Sequence, residues 1–180
     1  MSDKPQHCIT PLEGCLPEIG RALAMLEDCR QRTRQVLANL NPAAVDWVGG
    51  MNGHSIGTLL YHIAAIEVSW LGIEVTQGRL PDEVWDHFET DVRDPEGHLT
   101  PVSGQTLDEH WQRLDYTRGL LLDVYKKMSL EDYRYARCFD EYDVTPEWVL
   151  YHLMQHEAGH RDELAALRAA AETHLKTMDT

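Results

Sequence analysis

The sequence predicts an all-α protein, a four-helix bundle, on three observations. Apolar residues recur at steps of three and four in four separate segments, the spacing that puts them on one face of a helix. Short β-branched runs are scarce, and no alternating segment runs beyond a few residues. Composition is that of an ordinary globular chain, 43% hydrophobic and 26% charged over 180 residues, long enough to close one core without disulfides. The expectation is a single bundle domain over residues 1–180, with no internal repeat and no low-complexity tract.

The first helix carries Ile19, Leu23, Leu26, Leu37 and Leu40, with Arg30 and Thr33 interrupting the stripe. Asn41-Pro42 is expected to end it, because proline disfavours helical backbone in the residue before it. Gly49-Gly50-Met51-Asn52-Gly53 reads as loop. The second helix opens near Ser55, a good N-cap. Its stripe is Leu59, His62, Ile63, Ile66, Trp70 and Ile73, closed by Gly78 and Pro81.

Residues 81–104 hold Pro81, Pro95, Gly97, Pro101, Gly104 and many acids. They read as a long connection with a short helix around Val84 to Phe88. A connection of that length is unusual in a compact domain and suggests a role. The third helix starts at Thr106-Leu107-Asp108-Glu109, a capping-box pattern, and its stripe is Leu107, Trp111, Leu114, Leu121, Tyr125 and Met128, interrupted by Arg118. A connection of roughly 15 residues follows. Thr145-Pro146 then opens the fourth helix as cap and first helical residue. Its inner face holds Val149, His152, Leu153, His156, His160, Leu164 and Leu167.

The formal net charge is −14, from 30 acidic and 16 basic residues. Such a surface repels phosphate backbones and anionic lipid heads, so no nucleic acid and no membrane partner is expected. The longest apolar stretch, Ile63 to Leu71, is broken by Glu67 and Ser69 and falls short of a bilayer span. The first residues lack the apolar core of a signal peptide, so the expected location is the cytoplasm. Cys8, Cys15, Cys29 and Cys138 form no Cys-x-x-Cys pair. In a reducing compartment they are free thiols, and no motif makes one a nucleophile.

Ten histidines fall into two groups. His7, His87, His98 and His174 lie in terminal or loop-like sequence and are expected to be exposed. His54 stands where it could cap the second helix, and His110 adjoins the stripe of the third. His62, His152, His156 and His160 lie on apolar stripes, where an imidazole without partners costs free energy. Residues four apart on a helix have Cβ atoms about 5–6 Å apart, and metal–nitrogen bonds are about 2.0–2.1 Å, so both rings of such a pair reach one ion. His152 and His160 are about 12 Å apart along the axis and cannot easily share one. Spacing alone therefore pairs His156 with either neighbour, and His62 on the second helix completes the set.

His156-Glu157-Ala158-Gly159-His160 also matches His-Glu-x-x-His, in which the glutamate serves zinc proteases as general base. No strand is available to bind an extended peptide, and a one-residue step turns Glu157 about 100° from His156. Glu157 is thus read as a supporting or surface carboxylate.

Two segments resemble the DinB/YfiT-like family. Ser55-Ile56-Gly57-Thr58-Leu59-Leu60-Tyr61-His62-Ile63-Ala64 is similar to its second helix. Trp148-Val149-Leu150-Tyr151-His152-Leu153-Met154-Gln155-His156-Glu157-Ala158-Gly159-His160-Arg161 is similar to its last helix. The order of the helices and the long connection after the second also fit. The resemblance implies one divalent metal on His62, His156 and His160, with His152 outside its coordination shell. Zinc or nickel heads that expectation, followed by manganese or iron. Family members of known activity are transferases or isomerases that use glutathione, bacillithiol or mycothiol. Asp162 stands where the family commonly has glycine, and Gly159 where it often has a further histidine; neither touches the triad.

The expected activity is a metal-dependent thiol S-transferase or isomerase whose partners are a small-molecule thiol and an electrophile. An ion on three histidines suits activation of a thiol or of water, and the resemblance selects the thiol. The sequence singles out no catalytic residue and does not by itself establish an enzyme. The rival expectations are a non-catalytic metal-binding bundle and a hydrolase using Glu157. A homodimer is compatible with the sequence, which fixes no oligomeric state.

Overall fold

A computed structural model describes residues 4, 6–49 and 53–178. Four long helices make the bundle: α1 (Pro17–Val36), α2 (Ile56–Trp70), α3 (Leu107–Lys126) and α5 (Pro146–Met178). A short helix, α4 (Leu130–Arg134), and an antiparallel pair, β1 (Arg137–Cys138) with β2 (Asp143–Val144), fill the connection between α3 and α5. Sequence spacing predicts no element within that connection, since strands of two residues are too short for alternation to reveal them. In section, α1 packs mainly on α5 and less on α3, and α2 packs on α3 and α5.

The helix starts follow the capping residues. Ser55 accepts from the Thr58 amide, and Thr106 and Glu109 form a reciprocal capping box. Thr145 accepts from the Trp148 amide at 3.1 Å. Two ends differ from expectation. α1 stops at Val36, before Leu37 and Leu40, because Asn39 enters the left-handed region at φ 57°, a conformation asparagine tolerates. The helical path of α2 continues through a π-helical turn, Leu71–Val75. The wider turn shifts the stripe, so Leu71 and Val75 are buried while Ile73, expected inside, is 51% exposed. Gly50, Met51 and Asn52 of the expected loop lie outside the described residues. The short helix expected at Val84 to Phe88 is a 3₁₀ segment, Asp82–His87.

The segment Ile56–Val75 is long and apolar enough to meet the length and composition of a membrane span, contrary to the expectation that no stretch would. It is the core helix here, with 78% of that window buried inside the bundle.

The core is two apolar clusters with a charged layer between them. One holds Leu37, Leu59, Leu60, Ile63, Leu114, Leu164 and Leu167. The other holds Leu23, Leu26, Leu71, Leu121, Tyr125, Val149 and Leu153. On each long helix one charged residue separates the two sets: Arg30, Glu67, Arg118 and Glu157, all 4% exposed or less.

Candidate metal centre

The stripe of α2 and the inner face of α5 meet at mid-bundle, and three histidines converge there. The ring of His62 is 4.9 Å from that of His156 and 5.0 Å from that of His160, and the His156 and His160 rings are 4.5 Å apart. One ring nitrogen from each lies within 4.8 Å of the others. Nε2 of His62 and Nε2 of His156 are 3.1 Å apart. Two nitrogens bound to one ion at tetrahedral angles and zinc-like bond lengths stand about 3.4 Å apart, so this pair is close to a ligating geometry already.

Of the remaining ring atoms, His160 Nδ1 supports that assignment, while His62 Nδ1 is buried with no hydrogen-bond partner among the described residues. His160 Nδ1 is 2.8 Å from Glu163 Oε2; a neutral imidazole donating there leaves Nε2 with its lone pair, the carboxylate–histidine arrangement that orients metal ligands. Burial first, then His160, pushes the pKa of His62 down to about 4. Burial, then His160 and His62, pushes His156 down to about 3. Both are neutral at pH 7, the state that ligates. His62 is almost fully buried, whereas His156 and His160 are half-buried, which leaves one side of the cluster within reach of solvent.

His152 does not join the cluster. Its ring lies 4.3 Å from Trp70 and stacks on Trp148 at 5.1 Å. Of the two neighbours that spacing allowed, His160 rather than His152 lies beside His62 and His156. His7, His87, His98 and His174 are exposed as expected, although His174 lies within α5. Ser55, not His54, caps α2. His110 turns inward and is fully buried.

Glu157 is neither on the surface nor at the histidines. Its Oε1 accepts from Arg30 Nε at 2.7 Å and its Oε2 from Arg118 at 3.1 Å. Arg118 also donates to both oxygens of Glu67, at 2.7 Å to Oε2, and to Glu27 at 2.6 Å. Arg30 reaches Glu67 Oε2 at 3.2 Å and the Leu114 carbonyl at 3.0 Å. Burial alone would raise the pKa of Glu67, but Arg118 and then Arg30 hold it below the ordinary carboxylate range. Every carboxylate oxygen of Glu67 and Glu157 has a donor, so neither is placed to take a proton from water at the histidines. Sequence reasoning missed this network: Arg30 and Arg118 interrupt their stripes, but spacing does not show that they face Glu67 and Glu157.

A DinB superfamily model matches residues 25–177, from within α1 to the end of α5. The chain belongs to the DinB superfamily. It is also similar to the uncharacterized protein YkkA of Bacillus subtilis (strain 168), 21% identical over 154 residues, spanning 84% of this chain and 87% of that one. The DinB superfamily is metal-associated, and the fold here carries a histidine triad whose geometry accommodates a divalent ion.

Beside the triad, Ala65 and Ser69 lie roughly one and two turns past His62 on α2. They line an open cleft of 330 Å³ together with Trp85, Phe88 and residues 89–92. The long 81–104 connection therefore runs along the same helix as His62.

Proposed function

We propose that His62, His156 and His160 hold one divalent ion and that this protein transfers, or isomerises by way of, a low-molecular-weight thiol on a small electrophile. The observation that carries the reading is three imidazoles converging from two helices, with the neighbouring glutamate turned away. Such an ion supplies Lewis acidity, which favours the deprotonated form of a thiol at neutral pH. The residues of this chain do the rest. His62, fixed inside the core, sets the position of the site. His156 and His160 present the half-exposed side from which thiol and electrophile arrive. Glu163 holds the His160 ring in orientation through Nδ1. In the open cleft further along α2, Trp85 and Phe88 offer the electrophile an apolar wall.

The half-exposed edge of the triad favours this over a closed ion that merely staples α2 to α5. The engagement of Glu157 by two arginines disfavours a hydrolase that needs it as base. Turnover of generic electrophiles with glutathione, bacillithiol and mycothiol tests the reading, comparing wild type, metal-free protein and His156→Ala. Thiol-dependent turnover in the metal-loaded wild type alone is expected. Equal activity in all three removes the metal from the reaction. Metal-dependent hydrolysis without any thiol, lost in Glu157→Gln, returns the case to the hydrolase.

A further inference from the structure

The seam between α2 and α5 repeats one register. His62 lies against His156 and His160; eight residues further along α2 and eight back along α5, Trp70 lies against Trp148 and His152. Past Trp70 the seam opens into a separate pocket of 520 Å³, lined by Trp70, Tyr142, Asp143, Val144, Thr145 and Trp148. That volume suits a small ligand. Trp148 and Tyr142 remain 45% and 44% exposed, so two aromatic faces meet solvent at its mouth.

The charged side chain that lines the pocket is acidic, and Arg137 on the same hairpin is turned to Asp132 and the Tyr135 carbonyl. Asp143 lines the pocket, and Asp140 and Glu141 occupy the turn of the same hairpin. Behind the ring of Tyr142, its hydroxyl donates to Glu74 Oε1 at 2.9 Å. Glu74 is 6% exposed, and its Oε2 has no hydrogen-bond partner among the described residues. Burial raises the pKa of Glu74, and a positive charge brought near it would favour its ionised form.

We infer that this pocket binds an organic ammonium group carried on a small apolar body. Indole and phenol faces attract a cation through their quadrupoles, most strongly when it is shielded from water. The acidic rim adds attraction for the same sign of charge, and a bound cation would favour the ionised form of Glu74. An anion is repelled by both, and a neutral apolar molecule fills the volume without using the carboxylates. The site lies about 12 Å along the helices from the triad, and nothing in the inference requires an ion there.

The test uses the full chain with choline and with 3,3-dimethylbutan-1-ol, its neutral counterpart of the same shape. Binding is followed by tryptophan fluorescence and by titration calorimetry at fixed ionic strength. Choline is expected to bind about tenfold tighter than the alcohol or better, a difference of about 1.4 kcal/mol. Trp148→Ala should lose at least that factor, and Trp148→Phe less. Asp143→Asn and Glu74→Gln should each weaken choline and leave the alcohol unchanged. Trp111→Phe, whose ring packs on Arg34, should bind choline as wild type does, and circular dichroism establishes that each variant is folded. Equal affinity for the two probes, or no saturable response to choline, overturns the inference. So does sedimentation showing that a second copy of the chain covers the pocket and that choline does not compete with it.

Discussion

Arg30 Nε donates to Glu157 Oε1 at 2.7 Å across the interface between α1 and α5, with both side chains almost fully buried. Glu157 directly follows His156, so the bond fixes the rotation of α5 at the height of the histidine cluster. Arg118 ties the same glutamate to Glu67, five residues after His62 on α2. The charged layer thus joins the two helices that bear the triad. Two arginines facing two glutamates offset one another's charge, and removing a single member leaves an uncompensated buried ion.

Arg118→Met and Glu157→Leu should each destabilise the fold by about 3–5 kcal/mol. Replacing Arg30, Glu67, Arg118 and Glu157 together with apolar residues should cost far less than the sum of the single changes. Urea unfolding checks both statements. Additive single effects would show that the four residues do not act as a unit.

Metal content should be about one ion per chain in the wild type and much reduced in His62→Ala, His156→Ala and His160→Ala. His152→Ala should keep the ion, because its ring packs on Trp70 and Trp148 instead. Elemental analysis of protein purified without an affinity tag decides this. Full metal content in both His62→Ala and His156→Ala would remove the site. Loss in His152→Ala with retention in His160→Ala would reassign the third ligand.

The legible parts of this fold were those that local chemistry dictates. Ser55, Thr106 with Glu109, and Thr145-Pro146 announced three helix starts, since a cap satisfies amides that have no helical partner. The four-residue step from His156 to His160 and the place of His62 on an apolar stripe announced the cluster. The π-helical turn at Leu71–Val75 was not legible, because one slipped hydrogen-bond step leaves the composition unchanged while moving Ile73 outward. The charged layer was not legible either. Arg30 and Arg118 appeared as gaps in separate stripes and Glu67 as a break in an apolar stretch, and only tertiary packing shows that they face each other.

Gly57 makes a packing prediction. A Cβ there would stand 2.9 Å from His110 Nε2 and 3.4 Å from Val45 Cγ1. His110 cannot easily retreat, being fully buried with Nδ1 3.3 Å from Arg113. Gly57→Ala should therefore destabilise by about 1–2 kcal/mol, overpacking outweighing the better helix propensity of alanine. Gly119→Ala on α3, where the added methyl meets nothing within 4 Å, should instead stabilise by about 0.5–1 kcal/mol. Thermal unfolding of the two variants separates the effects, and equal shifts would contradict the packing around Gly57.

His110 also sets a pH dependence that owes nothing to metal. Burial, and then Arg113, pushes its pKa down to about 4, against about 6.5 in an unfolded chain. Between those values the unfolded chain takes up a proton that the folded chain refuses, so stability falls as pH falls. The stabilisation from a neutral His110 is complete above about pH 6.5 and is lost on the way down to about pH 4. A shift of this size corresponds to something on the order of 3 kcal/mol. In metal-free protein His62 and His156, pushed down to about 4 and about 3, steepen the loss in the same direction. Glu67 adds its own loss at lower pH, as protonation reaches a carboxyl held below its ordinary range. Urea midpoints of metal-free protein should drop steadily from pH 7 to pH 4.5, and His110→Gln, if folded, should show a shallower slope. A midpoint that stays constant across that interval would mean that these imidazoles are not held neutral by the fold.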